Sequence, residues 1–176
     1  MDTADAEAVS IRAVAEAVGV TAPTIYRHFE DKDALINQVC ERAFEELDRQ
    51  MGEHIGDEDD PLERLALLGE AYVRFGLSKG GHYRVLFMEP APSGNEPKSW
   101  DDLLRLTNGF TRLITECQRA IDTGLDAPDA TTLALNLWAT VHGMVSLRIC
   151  MPQLDWPPVE QQLELLGRQM RATLRR

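Results

Sequence analysis

Side chains able to perform acid–base, nucleophilic or metal chemistry occur throughout the sequence, but they do not form a known catalytic pattern. No glycine-rich phosphate loop and no Ser/His/Asp or Cys/His set is found. The histidines show no metal-ligand spacing; they are His28, His54, His82 and His142. The cysteines at positions 40, 117 and 150 lie far apart in apolar helical patterns, which is typical of reduced core cysteines. The sequence therefore predicts a protein that is not an enzyme and that binds no metal or cofactor.

A different chemistry, contact with DNA, is indicated between residues 10 and 35. Ser10 can cap a short helix, and Gly19 supplies the positive φ at which that helix can end and turn sharply. Thr21 is then a second N-cap, with Pro23 in the first turn of a very short helix, and Asp31 caps a third helix. Two short helices joined by a glycine-containing turn of about three residues are a helix-turn-helix, a motif that binds DNA.

The acidity of the whole chain does not conflict with DNA binding by this segment. The formal net charge is −11, which argues against non-specific nucleic-acid binding by the molecule as a whole. Residues 10–32 nevertheless contain equal numbers of cations and carboxylates: Arg12, Arg27 and Lys32, and Glu16, Glu30 and Asp31. Binding would depend on these few cations, on backbone N–H groups at helix N-termini, and on two copies of the motif in a dimer.

The stretch from Ser10 to Leu35 resembles the DNA-binding region of TetR-type (TetR/AcrR) transcriptional regulators. The family pattern is S/T-I/L-R-x-V/I/L-A-x-x-x-G-V-S/T-x-x-T-I/L-Y-x-H/Y-F-x-x-K-x-x-L. The sequence SIRAVAEAVGVTAPTIYRHFEDKDAL matches it at every defined position. The resemblance implies that the second short helix is the recognition helix, which lies in the major groove with its N-terminal residues toward the base edges.

The resemblance also implies roles for individual side chains. Arg12 is the best candidate for a bidentate contact with guanine, because Ala22 and Pro23 offer only apolar contact, for example with a thymine methyl group. Other positions match residues that contact phosphate and fix the register, although a His28 that only caps its helix would look the same. The implied DNA-binding residues are Arg12, Thr21, Ala22, Pro23, Thr24, Tyr26, Arg27, His28 and Lys32.

One part of the family pattern is missing from the sequence. TetR-type domains begin with a further helix, which bears an aromatic or leucine stripe and packs behind the helix-turn-helix. Only MDTADAEAV precedes Ser10, and Met1 and Val9 are its only large apolar residues. We therefore expect a DNA-binding domain that is truncated at its N-terminus. In such a domain the inner side chains are partly exposed; they are Ile11, Val14, Ile25 and Phe29.

Almost every other periodic pattern in the sequence is helical, and strand patterns are nearly absent. The sequence predicts an all-α fold with two parts. Residues 1–48 would form the helix-turn-helix, a truncated three-helix DNA-binding domain, and residues 49–176 a helical ligand-binding and dimerisation domain. The expected helices after the motif cover about 31–51, 61–78, the HYRVLFM segment, 98–123, 129–150 and 157–174.

The helix expected over 129–150 carries a W-x-x-x-H-G motif, which marks one subgroup of TetR regulators. Trp138 and His142 are four residues apart, on one helix face, and Gly143 lets another helix approach closely. Either the two large side chains line a ligand cavity, or they pack structurally with His142 bonded to a backbone carbonyl.

A pocket for a small apolar or amphipathic effector is expected among the middle helices. Aromatic and soft side chains are available there to line it, although each of them is also a reasonable core residue. The predicted ligand-binding residues are Phe75, Tyr83, Phe87, Met88, Trp100, Phe110, Cys117, Trp138 and His142.

These patterns predict a ligand-responsive repressor that binds a palindromic double-stranded DNA operator as a homodimer. The dimer would form through broad apolar faces on the last two helices. The alternative is a ligand-binding or interaction dimer that keeps a vestigial helix-turn-helix and no longer binds DNA. No apolar run approaches the length of a membrane span and the N-terminus does not resemble a signal peptide, so we expect a cytoplasmic protein with no membrane partner.

Overall fold

The computed structural model describes residues 10–89, 99, 104 and 108–172, and every regular element in these ranges is a helix. The helices are α1 (Ile11–Ala17), α2 (Ala22–Tyr26), α3 (Lys32–Ile55), α4 (Pro61–Ser78), α5 (Gly80–Phe87), α6 (Asn108–Asp122), α7 (Ala130–Cys150) and α8 (Val159–Ala172). The predicted all-α fold is confirmed. The expectation that residues 1–9 lack the first helix of the family falls outside the described residues, and so does the predicted role of Trp100.

Four helices begin at residues whose side chains bond the free amides of the first turn. Each cap accepts a hydrogen bond from the amide two or three residues later. The distances are 3.1 Å at Ser10, 2.7 Å at Asp31, 2.8 Å at Asp60 and 2.8 Å at Asp129. A cap of this kind stabilises a helix by about 1 kcal/mol. The predictions for Ser10 and Asp31 are confirmed, and their positions fix where α1 and α3 start.

The turn between α1 and α2 follows the predicted geometry, except at the second cap. Gly19 has a φ of 72°, a left-handed value that favours glycine, and Pro23 lies in the first turn of α2. Thr21 has the extended backbone of an N-cap, but its side chain caps no amide. Its Oγ1 lies 3.0 Å from Thr24 Oγ1 instead, so the predicted side-chain cap is wrong.

Helix α3 is continuous from the helix-turn-helix into the rest of the protein. It has 24 residues and ends at Gly56, where φ is 53°. At 1.5 Å per residue it is about 36 Å long. It continues past the predicted end at Met51, and the predicted domain boundary at residue 48 falls within it. One rigid element therefore connects the DNA-binding motif to the helical bundle.

Helix α4 is the centre of that bundle. It packs against α3, α5, α6, α7 and α8. Its predicted apolar stripe is buried as expected: Leu62, Leu65, Leu68, Tyr72 and Phe75 have exposed fractions of 6% or less. Burial of a side chain of this size contributes about 1.5 to 3 kcal/mol, so this stripe is the main source of stability in the bundle.

Two later helices begin at places that differ from the sequence expectation. The helix expected over HYRVLFM, which begins at His82, starts two residues earlier in the structure, so that Gly80 and Gly81 lie in the first turn of α5. Helix α6 was expected from about Lys98, and the structure has it from Asn108; most of residues 98–107 lie outside the described ranges. The last two helices lie within two residues of their predicted bounds.

A buried ion pair connects α4 to α6. The Arg64 guanidinium donates two hydrogen bonds to Glu116, from Nε to Oε2 at 2.8 Å and from Nη2 to Oε1 at 2.7 Å. A third bond, at 2.6 Å, goes to the carbonyl of Glu58. The bonds from Arg64 hold the pKa of the Glu116 carboxyl below its usual value. Paired in this bidentate way, two charges are accommodated inside an apolar bundle.

Helix α7 is apolar on most of its circumference. By length and composition it is the one described helix that could cross a membrane, and 22% of that span is buried. The core helices of folded domains satisfy the same criterion, and α7 packs against α4 and α6. Ala134, Val141 and Val145 point into the bundle, whereas Leu147 is 46% exposed and Cys150, expected in the core, is exposed. Part of its apolar surface is thus uncovered in the single chain.

Gly76 marks the closest approach of neighbouring elements to α4, and we predict that an added methyl group there is destabilising. A Cβ at this position would lie 2.5 Å from Val145 Cγ1 and 2.9 Å from Tyr83 Cδ2, and both residues are 0% exposed. Gly76→Ala should lower the free energy of unfolding by about 1 to 2 kcal/mol, since overpacking outweighs the gain in helix propensity. Urea unfolding followed by circular dichroism measures this change.

Gly81→Ala is the matched control. Gly81 also lies in a helix, but a Cβ there has nothing within 4 Å. This variant should be as stable as the parent or more stable by up to about 1 kcal/mol. Equal effects of the two alanines would contradict the packing argument.

Candidate DNA-binding and ligand-binding sites

The helix-turn-helix presents several polar and aromatic side chains to solvent. Arg12, Tyr26, Arg27 and His28 are exposed, and Tyr26 has 56% of its surface accessible. Ile25, the neighbour of Tyr26, is half-buried and faces the inner side. An exposed aromatic ring beside exposed cations has the composition of a surface that contacts nucleic acid.

The other residues predicted to bind DNA lie along α2 and at the start of α3. Thr21 and Pro23 are exposed, while Ala22, Thr24 and Lys32 are half-buried. The hydroxyls of Thr21 and Thr24 bond each other across the first turn of α2. The DNA contacts themselves stay predictions.

The inner face of the motif is partly covered. Helices α1 and α2 pack against each other. Val14, Ile25 and Phe29 are half-buried, in line with the expected partial exposure, whereas Ile11 is buried with 7% of its surface accessible.

A large cavity lies in the bundle, between α3, α4, α5, α6 and α7. Its volume is about 760 Å³, within the range of pockets that hold drug-sized ligands. Most of its wall is aliphatic or aromatic. The lining residues are Phe44, Leu47, Met51, Tyr72, Leu86, Phe87, Gly109, Phe110, Leu113, Thr132, Leu135, Asn136, Trp138, Ala139 and His142.

Aromatic rings from four helices meet around this cavity. Phe87 contacts Phe44 at a centroid distance of 5.7 Å and Trp138 at 6.2 Å, both edge to face. Phe110 lies 5.4 Å from Trp138. Such ring pairs add about 0.5 to 1.5 kcal/mol each beyond their buried area, so the rings form a fixed wall.

A chain of hydrogen bonds crosses one side of the cavity. Trp138 Nε1 donates to the hydroxyl of Tyr72 at 3.1 Å. The hydroxyls of Tyr72 and Tyr83 are 3.1 Å apart, and the Tyr83 hydroxyl lies 2.6 Å from His142 Nδ1. Tyr72 also approaches Nδ1, at 3.2 Å. Three helices, α4, α5 and α7, thus supply one connected polar group in an apolar surrounding.

Part of the direction of this chain follows from its first member. An indole N–H can only donate, so the Tyr72 oxygen accepts from Trp138. The Tyr72 hydroxyl can send its own proton to the Tyr83 oxygen or to His142 Nδ1, and the 2.6 Å contact between Tyr83 and Nδ1 is satisfied when the Tyr83 hydroxyl donates. In the tautomer whose Nδ1 accepts from a tyrosine hydroxyl, the proton of the neutral imidazole lies on Nε2.

Burial keeps all three titratable members of the chain uncharged near neutral pH. It raises the pKa of the Tyr72 phenol to about 12 and also raises the pKa of Tyr83. It lowers the pKa of His142, because the imidazolium would lose its hydration. The group therefore acts through hydrogen bonds and carries no net charge.

The predicted ligand-binding residues divide into two sets in the structure. Phe87, Phe110, Trp138 and His142 line the cavity. The other described members lie behind this wall or beside it; Phe75, Tyr83 and Cys117 are buried, and Met88 is half-buried against the core. Burial raises the pKa of the Cys117 thiol to about 12, as expected for an unreactive core cysteine. Binding of a ligand by any of these residues stays a prediction.

Each of the two alternatives for the W-x-x-x-H-G motif agrees with part of the observed arrangement. Trp138 and His142 line the cavity, and both are also held by hydrogen bonds. The ring of His142 bonds tyrosine hydroxyls, however, and not the backbone carbonyl that the structural alternative had assumed.

Several lining residues were not among the predicted ligand-binding residues. Phe44 and Leu47 of α3 and Tyr72 of α4 belong to regular apolar stripes, which do not separate a core face from a cavity wall. Tyr72 did carry a signal, because a tyrosine in a leucine stripe needs a hydrogen-bond partner when it is buried. Within the described ranges, no group of three His, Cys, Asp or Glu side chains converges as a metal site.

Family models match both parts of the chain. The model described as "Tetracyclin repressor-like, C-terminal domain" matches residues 65–172, more than half of the sequence. The model described as "Bacterial regulatory proteins, tetR family" matches residues 3–39, which include the helix-turn-helix. No curated protein matches the chain.

Solved structures share the fold at low sequence identity. A protein of unknown function from Rhodococcus sp. RHA1 has a TM-score of 0.77 at 22% identity, over 97% of this chain and 87% of the other. AibR, crystallised with isovaleryl coenzyme A and operator DNA, has a TM-score of 0.68 at 17% identity, over 93% and 88%. PfmR, a TetR family transcriptional regulator from Thermus thermophilus, has a TM-score of 0.65 at 20% identity, over 97% and 88%. With the matches of both family models, the chain belongs to the TetR family of bacterial regulators.

Proposed function

We propose that this regulator is a cytoplasmic, ligand-responsive repressor that binds a palindromic operator as a homodimer. The observation that carries the proposal is the path of α3, which begins directly after the helix-turn-helix and reaches the wall of the cavity. Its residues Phe44, Leu47 and Met51 line that cavity. A ligand in the cavity would touch the same rigid element that sets the position of the recognition helix.

DNA binding is supported by the surface of the helix-turn-helix. Arg12 and Arg27 are exposed on either side of the glycine turn, and the segment is near neutral in an otherwise acidic chain. Arg12 would read a guanine, while Lys32 and Tyr26 would contact phosphates and fix the register.

Ligand response is supported by contacts between the cavity helices. Besides the lining residues of α3, Arg112 of α6 donates from Nε to Asp48 of α3 at 3.1 Å. A shift of α6 or α7 around a bound ligand would therefore move α3. A coupling of this kind has a typical size of about 1 to 3 kcal/mol. AibR, which has the same fold, was crystallised with both a small-molecule thioester and operator DNA.

Dimer formation is supported by an uncovered face of α7. Thr140, Gly143, Leu147 and Cys150 follow each other at spacings of three and four, so they lie along one side of the helix. A Cβ on Gly143 would have nothing within 4 Å in the single chain, and Leu147 is 46% exposed. On the neighbouring helix α8, Leu165 is 49% exposed. A second copy packed on this surface would cover it and place two recognition helices at a fixed spacing.

The alternative function is an interaction dimer whose helix-turn-helix no longer binds DNA. It makes the same prediction for the cavity and for the dimer surface. The two functions therefore differ only in the outcome of DNA-binding experiments.

We predict that Arg12 and Lys32 affect DNA binding in different ways. Arg12→Ala should weaken the preferred duplex by about 1 to 3 kcal/mol and relax the sequence preference, because it removes a base contact. Lys32→Ala should weaken all duplexes alike and lower the salt slope by about 1, because it removes a phosphate contact. Fluorescence polarisation with DNA that flanks the gene of this protein, at several salt concentrations, measures both effects.

Arg119→Ala is the charge-matched control, since Arg119 is an exposed arginine of α6, away from the motif. It should leave DNA affinity unchanged. Specific affinities in this class are on the order of 10⁻⁸ to 10⁻¹¹ M. If no flanking duplex is bound more tightly than unrelated DNA, the repressor proposal fails and the interaction dimer replaces it.

We predict that the cavity binds the uncharged apolar dye Nile red and that Ala139→Trp blocks it. Ala139 lines the cavity, and an indole there would occupy space that the dye needs. Dye affinity, measured by fluorescence, should fall by about tenfold or more, consistent with the loss of apolar contact area. Thr131→Trp, at an exposed position of the same helix outside the lining, should leave it unchanged.

The same dye tests the coupling between the two sites. If the protein is ligand-responsive, bound Nile red should weaken operator binding by about fivefold or more, and operator should weaken dye binding by the same factor. Dye binding without any change in operator affinity would count against ligand response by this cavity.

We predict that Leu147→Arg dissociates the dimer, because it places a charge in the centre of the proposed interface. Analytical ultracentrifugation should show a dimer for the parent chain and a dissociation constant raised by about tenfold or more for the variant. Leu77→Arg is the matched control, since Leu77 is a leucine of α4 with a similar exposed fraction, 41% against 46%. A monomeric parent chain, or equal effects of the two arginines, would refute this interface.

A further inference from the structure

The cavity wall contains polar atoms but no charge among the residues that the structure describes there. None of its described lining residues is Asp, Glu, Lys or Arg. Its polar members are Tyr72, Thr132, Asn136, Trp138 and His142. Asp48 and Arg112, which are adjacent in sequence to lining residues, pair with each other. An ionised ligand would lose hydration in this cavity without gaining a counter-charge from these residues.

The imidazole of His142 is a hydrogen-bond donor in the wall, in addition to the side-chain amide of the exposed Asn136. Within the described part of the chain, Nε2 of His142 has no hydrogen-bond partner, whereas Nδ1 bonds two tyrosine hydroxyls. Among the described residues, Gln162 Oε1 is the only buried side-chain oxygen or nitrogen that lacks a partner. Because Nε2 of His142 also lacks a partner, it is not a buried atom and is accessible. His142 is a lining residue of the cavity, so Nε2 is the imidazole nitrogen that remains for a ligand bound there.

The hydrogen-bond chain determines what this nitrogen can do. Two tyrosine hydroxyls lie within hydrogen-bond distance of Nδ1, at 2.6 and 3.2 Å, and the tautomer that accepts from them carries its proton on Nε2. If Nδ1 carried a proton, it would donate to the Tyr83 hydroxyl across the 2.6 Å contact and could no longer accept from it. Tyr83 would then have to send its own proton to the carbonyl of His142, at 3.4 Å. The network thus resists formation of an imidazolium that could pair with an anionic ligand.

We infer that the effector is an uncharged molecule with an apolar, aromatic-compatible body and one carbonyl-type oxygen that accepts a hydrogen bond from His142 Nε2. The body would contact Phe44, Phe87 and Phe110, and the oxygen would point toward α7. This inference rests on the proposed ligand response and deepens it. Among the described wall residues a carboxylate, a phosphate or an amine finds no counter-charge, so the inference disfavours these groups, and it makes Tyr83 and Tyr72 positioning residues for the donor.

Four small molecules with the same two-ring skeleton test the inference. Benzophenone carries a neutral carbonyl, diphenylmethane has no acceptor, diphenylacetate is an anion, and benzhydrylamine is a cation. Isothermal titration calorimetry with the full 176-residue chain at neutral pH measures the four affinities. Benzophenone should bind about tenfold more tightly than diphenylmethane, as expected for one net hydrogen bond, and the two charged analogues should bind more weakly than either.

His142→Phe removes the donor and keeps a ring of similar size in the wall. Benzophenone should lose about tenfold in affinity and fall to the level of diphenylmethane, whose own affinity should change by less than about twofold. Unchanged diphenylmethane binding also reports that the variant is folded. His82→Phe, at an exposed position of α5 outside the lining, is the matched control and should leave all four affinities unchanged.

Tyr83→Phe tests the positioning role. Without the Tyr83 hydroxyl, Nδ1 loses its 2.6 Å partner and keeps only the Tyr72 hydroxyl at 3.2 Å, so it takes up a proton more readily and the preference for benzophenone over diphenylacetate should shrink by about tenfold. A purely structural tyrosine would weaken all four probes by one common factor. A common factor would therefore contradict the positioning role.

The inference is overturned if a charged analogue binds as tightly as benzophenone, if benzophenone and diphenylmethane bind equally, or if none of the four binds. These results are distinct from failure of the proposed function. If benzophenone binds with the expected preferences but leaves operator affinity unchanged, ligand response fails and the binding chemistry stands. If Nile red releases the operator while all four probes fail to bind, ligand response stands and the binding chemistry fails.

Discussion

The hydrogen-bond chain from Trp138 through Tyr72 and Tyr83 to His142 is the constraint on which the middle of the bundle depends. A phenol or an imidazole buried in an apolar core costs several kcal/mol unless it finds a partner. Here each polar atom finds its partner on a different helix, so α4, α5 and α7 can pack only in the arrangement that completes the chain. The cavity is what this arrangement leaves open beside the polar atoms. The shape of the cavity and the orientation of the His142 ring have the same origin.

Helix α3 extends from the cavity to the helix-turn-helix on the surface of the molecule. It forms the wall of the cavity opposite α7, and it begins at the N-cap Asp31, immediately after the helix-turn-helix. A continuous helix has no internal hinge that could absorb a displacement. If the protein is ligand-responsive as proposed, α3 is a direct mechanical path between the cavity and the exposed helix-turn-helix, and no separate signalling element is needed.

The sequence predicted those parts of the fold that depend on neighbours along the chain. Ser10 and Asp31 cap helices through bonds that span three residues, and Gly19 adopts its left-handed φ within a single turn, so local patterns were sufficient. Thr21 is the exception, because its hydroxyl had two local partners and the pattern could not choose between them. The polar chain was not predictable in this way. Tyr72 and His142 are 70 residues apart, and Tyr83 and His142 are 59 apart, so only the packing of the bundle brings them together.

Gly76 has a consequence for how such a site can change between related proteins. This residue is not among the described residues that line the cavity, yet the missing side chain is what allows Tyr83 and Val145 to lie against α4. A larger residue at this position would need a smaller one at 83 or 145 to compensate. If the compensation falls on Tyr83, the hydroxyl that orients His142 is lost with the ring. If the cavity binds an effector as proposed, its chemical selectivity therefore depends on a glycine in the interior of a helix, and effector preference can change through a position outside the described cavity wall.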